Sequence, residues 1–152
     1  KNIIVEFFDY NCGYCKAIHS ELISLSKKED LDLVIYFYQF PILSDISRIY
    51  SKKLLIIADT NPDKALKVHY DLMNLSGSLN ENKFNNILKD NEVNIDSINK
   101  KMSNIDFDEM LEVTYYLAKR IGGSGTPLLI INNFVEQGYL EQDEMLEIIL
   151  NY

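Results

Sequence analysis

Cys12-Gly13-Tyr14-Cys15 contains the only two cysteines of the 152-residue chain. The thiolate is the form of cysteine that attacks disulfides and binds metals. Two thiols separated by two residues can close a small, easily opened disulfide, which suits thiol–disulfide exchange. Three other readings compete. A purely structural bridge over so short a loop would stabilise little on the chain-entropy model. A zinc site normally takes four ligands, so His19 and His69 would have to complete it. Haem attachment needs a histidine directly after the second cysteine, and position 16 is Lys. Redox chemistry is the preferred reading, with a structural pair and a zinc site kept beside it.

Other residues bear on that chemistry. Glu6 interrupts an otherwise apolar run, Ile3 to Phe8. A desolvated carboxylate should hold its proton more tightly and can exchange it with Cys15 during a redox step. The alternative is that Glu6 reaches a sheet edge and water. Gly125-Thr126-Pro127 places a proline at a strand start, where the preceding bond can be trans or cis. Lys16 can add positive potential near a thiolate, although lysines at such positions are mostly solvated. His19 lies four residues after Cys15, on the same helical face. The ten tyrosines read as packing residues.

These residues need elements to position them. Residues 3–8 are rich in β-branched and aromatic side chains and predict a buried strand. A helix is expected over 16–28 and a second strand over 31–40, stopped by Pro41. Strand, helix, strand implies a parallel βαβ unit. If the helix begins near Gly13, Cys12 sits at its N-terminus as an exposed nucleophile and Cys15 within the first turn as the shielded resolving thiol. Helical periodicity then takes over at 46–58, 62–74, 80–89, 95–102 and 107–121, with Asn and Asp as cap residues between. Gly122-Gly123-Ser124-Gly125 breaks the pattern. Strands over 127–131 and 134–137 follow as a hairpin, then a closing helix over 141–150.

Composition narrows the function classes. Hydrophobic residues at 47% and charged residues at 25% are ordinary for a globular domain of this length. A net charge of -8 argues against nucleic acid as a partner. The glycine-rich stretch has neither a Walker nor a dinucleotide-binding pattern, and no metal, nucleotide or flavin cofactor is implied. No signal peptide is visible. The chain enters a strand almost at Lys1, so upstream sequence is expected, and cysteine usage leaves the compartment open.

The chain resembles the DsbA-like thiol–disulfide oxidoreductases of the bacterial envelope, members of the thioredoxin superfamily. The resemblance rests on the segment from Val5 to Cys15, on Phe40-Pro41-Ile42-Leu43, and on the segment from Gly122 to Pro127. It covers nearly the whole chain. It implies an α/β thioredoxin fold, βαβ…ββα, with an all-helical insertion. Residues 1–43 and 121–152 would form the thioredoxin-fold domain and 44–120 the inserted subdomain. The gap of 115 positions between Cys12 and Pro127 far exceeds that of plain thioredoxins and points to the DsbA branch.

By position, the resemblance makes Cys12 the nucleophile, Cys15 its buried partner and Glu6 the buried acid. Thr126-Pro127 becomes the cis-proline loop, which with Gly125 and Tyr14 would bind an extended substrate segment through backbone hydrogen bonds. Two features depart from the strongest oxidases. Their central dipeptide usually carries a histidine, where this chain has Gly13-Tyr14, and valine commonly stands where Thr126 is. Both features are closer to disulfide isomerases and copper-tolerance relatives. The implied function is to form or isomerise disulfides in unfolded or misoxidised secreted proteins of the periplasm or cell envelope. The redox partner would be a membrane quinone-linked oxidant or a thiol reductant. The alternative from another class is a periplasmic chaperone or copper-handling protein using Cys12 and Cys15 as soft ligands. Neither reading sets the oligomeric state.

Overall fold

A computed structural model of the chain describes residues 1–103 and 108–151. Strand β1 (Asn2–Phe8) leads into helix α1 (Gly13–Ser26), and strand β2 (Leu33–Gln39) returns beside β1. Five helices follow: α2 (Asp45–Thr60), α3 (Pro62–Met73), α4 (Glu81–Asp90), α5 (Ile95–Met102) and α6 (Asp108–Arg120). Strands β3 (Leu128–Ile131) and β4 (Phe134–Gln137) and helix α7 (Gln142–Asn151) complete the chain. The sheet order is β2-β1-β3-β4, with β1 and β2 parallel and the other two pairings antiparallel. This is the thioredoxin fold that the sequence implied.

Local chemistry explains most boundaries. Asn61, Asn80 and Asn94 each accept a hydrogen bond at the N-terminus of the following helix, and Pro62 fills a first-turn position that needs no N–H. The second strand starts at Leu33 rather than at the expected residue 31. Glu29–Leu31 form a short 3-10 turn, and Asp32 takes a left-handed conformation (φ 43°) that no strand accommodates. Helix α1 starts at Gly13, three residues before the expected 16, because Cys12 caps it. The expected start of the sixth helix at Phe107 lies outside the described residues.

The two faces of β1 bury different layers. Ile4 packs with Ile18, Leu22 and Leu25 of α1 and with Met145 and Ile149 of α7. Phe7 lies on the opposite face, with Phe40, Leu128 and Ala118 of α6. A third cluster joins Phe8, Tyr10 and both cysteines to Tyr50, Leu54, Val68, Leu72, Phe84 and Leu88 of the helical segment. The cysteine pair therefore sits where the end of β1 meets the helices, within an apolar core.

Candidate functional site

The geometry begins at the helix start. Cys12 has extended backbone angles (φ −84°, ψ 114°) and is the N-cap of α1. It forms a disulfide with Cys15, and its Sγ accepts the Cys15 N–H at 3.1 Å. This places sulfur against the positive end of the helix, where unpaired N–H groups favour a thiolate. Cys15 is fully buried, and Cys12 keeps only 5% of its surface. The expected exposed Cys12 is thus corrected. The capping position draws its sulfur into the helix end, and the Thr126 carbonyl oxygen lies 3.5 Å from it. The ranking survives, since the surface that remains belongs to Cys12. Tyr14, between the cysteines, is 69% exposed.

The Cys12 turn is held from three sides. Asp9, buried at the end of β1, accepts the Asn11 N–H at 2.8 Å and the Leu43 N–H at 2.9 Å. The Asn11 side chain donates to Ser47 Oγ of α2 and accepts the Leu79 N–H before α4. Asp9 thus ties the cysteine turn to the loop before α2, and Asn11 ties it to the helical segment. Sequence reasoning missed both. The available signal was the Asp-x-Asn spacing, which closes a local turn through a side-chain oxygen.

Thr126 and Pro127 reach the cysteines from the far end of the chain, and the bond between them is cis. The loop before them is anchored at both ends. Helix α6 ends in a Schellman arrangement, with Gly122 (φ 82°) donating to Lys119 O and Gly123 donating to Ala118 O. A Cβ on Gly123 would stand 2.9 Å from the Ala118 carbonyl oxygen, so the close approach requires glycine. Gln137 of β4 accepts from Ser124 N–H and donates to Gly122 O, and Gly138 N–H donates to Pro127 O. Gly125 and Thr126 stay partly exposed while Pro127 is buried.

Glu6 is fully buried, on the α1-facing side of β1 between Ile4 and Phe8. Its register partners are Phe37 on β2 and Leu129 on β3. The water-exposed alternative is therefore excluded. Desolvation raises its carboxyl to about 8, and neither oxygen has a hydrogen-bond partner among the described residues.

Lys16 departs from expectation, whereas His19 lies buried on the same face of α1 as Cys15. The Lys16 ammonium is not simply solvated. It donates to the carbonyls of Leu75 and Gly77 at 3.0 and 2.8 Å, because the loop after α3 passes over the start of α1. His19 is buried, with its ring 5.1 Å from that of His69, and both pack around Phe37. Burial pushes His19 down to about 4; burial and then the neighbouring His19 push His69 down to about 3. Both rings make tilted or edge-on contacts with aromatic neighbours. Among the described residues no three histidine, cysteine or acidic side chains are arranged to hold a metal ion.

The chain is similar to known proteins. A curated relative from Bordetella avium (strain 197N), named "Probable thiol:disulfide interchange protein DsbC", is 41% identical over 66 residues, which is 43% of this chain. The chain spans about a fifth of that relative's length, 21%. Among solved structures, a thioredoxin-like oxidoreductase from Silicibacter pomeroyi superposes with a TM-score of 0.88 at 24% identity, covering 99% of this chain and 85% of that one. The thiol-disulfide exchange protein alpha-DsbA2 from Wolbachia pipientis gives a TM-score of 0.86 at 25% identity, covering 98% and 80%. The family model described as Thioredoxin matches residues 1–151. That match runs unbroken from β1 through the helical segment to α7, and the chain belongs to the thioredoxin family.

Proposed function

We propose that the protein is a thiol–disulfide oxidoreductase that forms or isomerises disulfides in secreted or envelope proteins. The observation that carries this reading is the Cys12–Cys15 disulfide at the start of α1, with the Thr126 carbonyl beside Cys12 Sγ. In the oxidising direction a client thiolate attacks the disulfide, and a mixed disulfide forms through Cys12. A second client thiol then displaces Cys12, leaving the protein as the dithiol. In the isomerising direction the reduced Cys12 attacks a wrong client disulfide, and Cys15 releases the client if no rearrangement follows. Glu6 takes or returns the Cys15 proton. Gly125, Thr126 and Pro127 dock the client backbone, and the exposed Tyr14 borders the same surface.

The proposed clients are unfolded or misoxidised proteins, and the redox partner is a membrane-bound oxidant or reductant. The relative named for disulfide interchange supports this reading over the chaperone or copper-handling alternative. An insulin-reduction assay and refolding of scrambled ribonuclease test it. Cys12→Ala should abolish both activities, by at least about 100-fold, because the mixed disulfide can no longer form. Retention of either activity in that variant would end the proposal. The chain contains no Trp, so alkylation followed by mass measurement gives the cleanest redox readout.

A further inference from the structure

A polar cluster lies on the α1-facing side of the sheet, next to Glu6 in an otherwise apolar core. Gln39 Nε2 donates to the Tyr10 hydroxyl oxygen at 3.1 Å. The Tyr10 hydroxyl lies 3.0 Å from His69 Nδ1. Tyr10 is completely buried and its oxygen already accepts from Gln39, so its own proton goes to His69 Nδ1. His69 is thereby fixed as the tautomer with its proton on Nε2. That Nε2–H has no partner among the described residues, and neither do Gln39 Oε1, both His19 nitrogens and both Glu6 oxygens.

These atoms share one region. Glu6 pairs in register with Phe37, and the Phe37 ring centroid is 4.4 Å from that of His69. Tyr10 lies within electrostatic reach of Glu6. Buried polar atoms in proteins are almost always satisfied, by internal water where no side chain serves. His69 and Gln39 also line a groove of about 640 Å³ bordered by Leu54, Leu66, Met110 and Val113. The last three of these are exposed, so the groove meets solvent. Neither cysteine nor any residue of the 125–127 loop lines it.

We propose that His69 is a positioning residue of the redox step: its Nε2–H, oriented by Tyr10 and Gln39, holds internal water against Glu6, and that water carries the Glu6 proton out through the groove beside β2. This rests on the reading of Glu6 as the Cys15 proton carrier. Starting from a client joined to Cys12, the Cys15 sulfur attacks Cys12. The Cys12–Cys15 bond forms and the bond from Cys12 to the client breaks. The Cys15 thiolate supplies the electron pair of the new bond, and the client sulfur leaves with the pair of the broken bond as a thiolate that is protonated from solvent. The Cys15 proton moves to the Glu6 carboxylate and then, through water, to bulk solvent at the groove. From the elements packed over Glu6, the titratable groups are Cys15 and His19 from α1, His69 and Tyr70 from α3, and Tyr10. Both histidines are neutral at pH 7. Fixed dipoles, not a cation, therefore face the carboxylate.

The test is a single-turnover measurement on the full chain carrying a glutathione mixed disulfide at Cys12. Glutathione release is followed from pH 5 to 9, together with the Glu6 carboxyl carbon signal by NMR. His69→Leu should slow release about tenfold, the rate equivalent of one neutral hydrogen bond, and move the Glu6 titration upward. His69→Gln places an amide N–H near the Nε2 position and should restore most of the rate. Tyr10→Phe keeps the ring and should give an intermediate loss. An unchanged pH profile in His69→Leu overturns the proposal, and so does a His69→Gln protein as slow as His69→Leu. Glu6→Gln separates the two levels of inference. If Glu6→Gln releases glutathione at the wild-type rate, the proton-carrier reading itself fails. If it is slow while His69→Leu is not, only the role of His69 fails.

Discussion

The buried Glu6 carboxyl makes stability depend on pH. Its folded carboxyl titrates near 8, against an ordinary value of 4.5, because burial penalises the charged form. The folded state therefore binds this proton more tightly than the unfolded state does. The Glu6 contribution is fully present below about 4.5 and is lost as pH rises through about 8. Across that window the slope is at most about 1.4 kcal/mol per pH unit. Thermal melts of the oxidised protein should accordingly fall between pH 5 and 9. Glu6→Gln should flatten that fall and melt higher than wild type at pH 9. The dipeptide between the cysteines carries a second expectation. Gly13-Tyr14 supplies no cation to a Cys12 thiolate. The reduction potential, measured by equilibration with glutathione, should lie below the roughly −120 mV of the strongest oxidant. A value at that extreme would refute it.

The helices and strands differ in how openly the chain announces them. The β-branched run into Phe8 and the asparagine caps at 61, 80 and 94 were legible, because each depends on residues within a turn of one another. The cysteine pair, the burial of Glu6 and the cis bond before Pro127 were legible through motif and resemblance. Long-range pairings were not. His19 and His69 come from α1 and α3, and their meeting over Phe37 depends on how α3 packs back across β2. Lys16 reads locally as a solvated helix residue, and only the loop after α3 gives it carbonyl partners. The clamp at Asp9 and Asn11 belongs to the same class. Asn11→Ala removes the acceptor of Leu79 N–H and one partner of Ser47 Oγ, which keeps its bond to Ser44 Oγ. It should cost about 1–2 kcal/mol, read as a lower midpoint in urea unfolding. Disulfide exchange should slow as well, because the cysteine turn loses its tie to α2.

At the scale of the molecule, the net charge of -8 gives no excess of basic surface, and the proposed client recognition rests on backbone contacts and apolar surface. No helix among the described residues is long and apolar enough to cross a membrane. We propose that residues 1–43 and 121–152 form the thioredoxin-fold part and 44–120 the insertion. Helix α6 then bridges the two, since its Ala118 packs with Phe7 and Leu128 of the sheet. The shared core of Phe8, Cys12, Cys15, Tyr50, Leu54 and Leu72 has a further consequence for protein engineering. The redox loop and the helical segment constitute one cassette. Grafted onto a scaffold without these helices, the four residues from Cys12 to Cys15 would leave their burial behind and keep only their spelling.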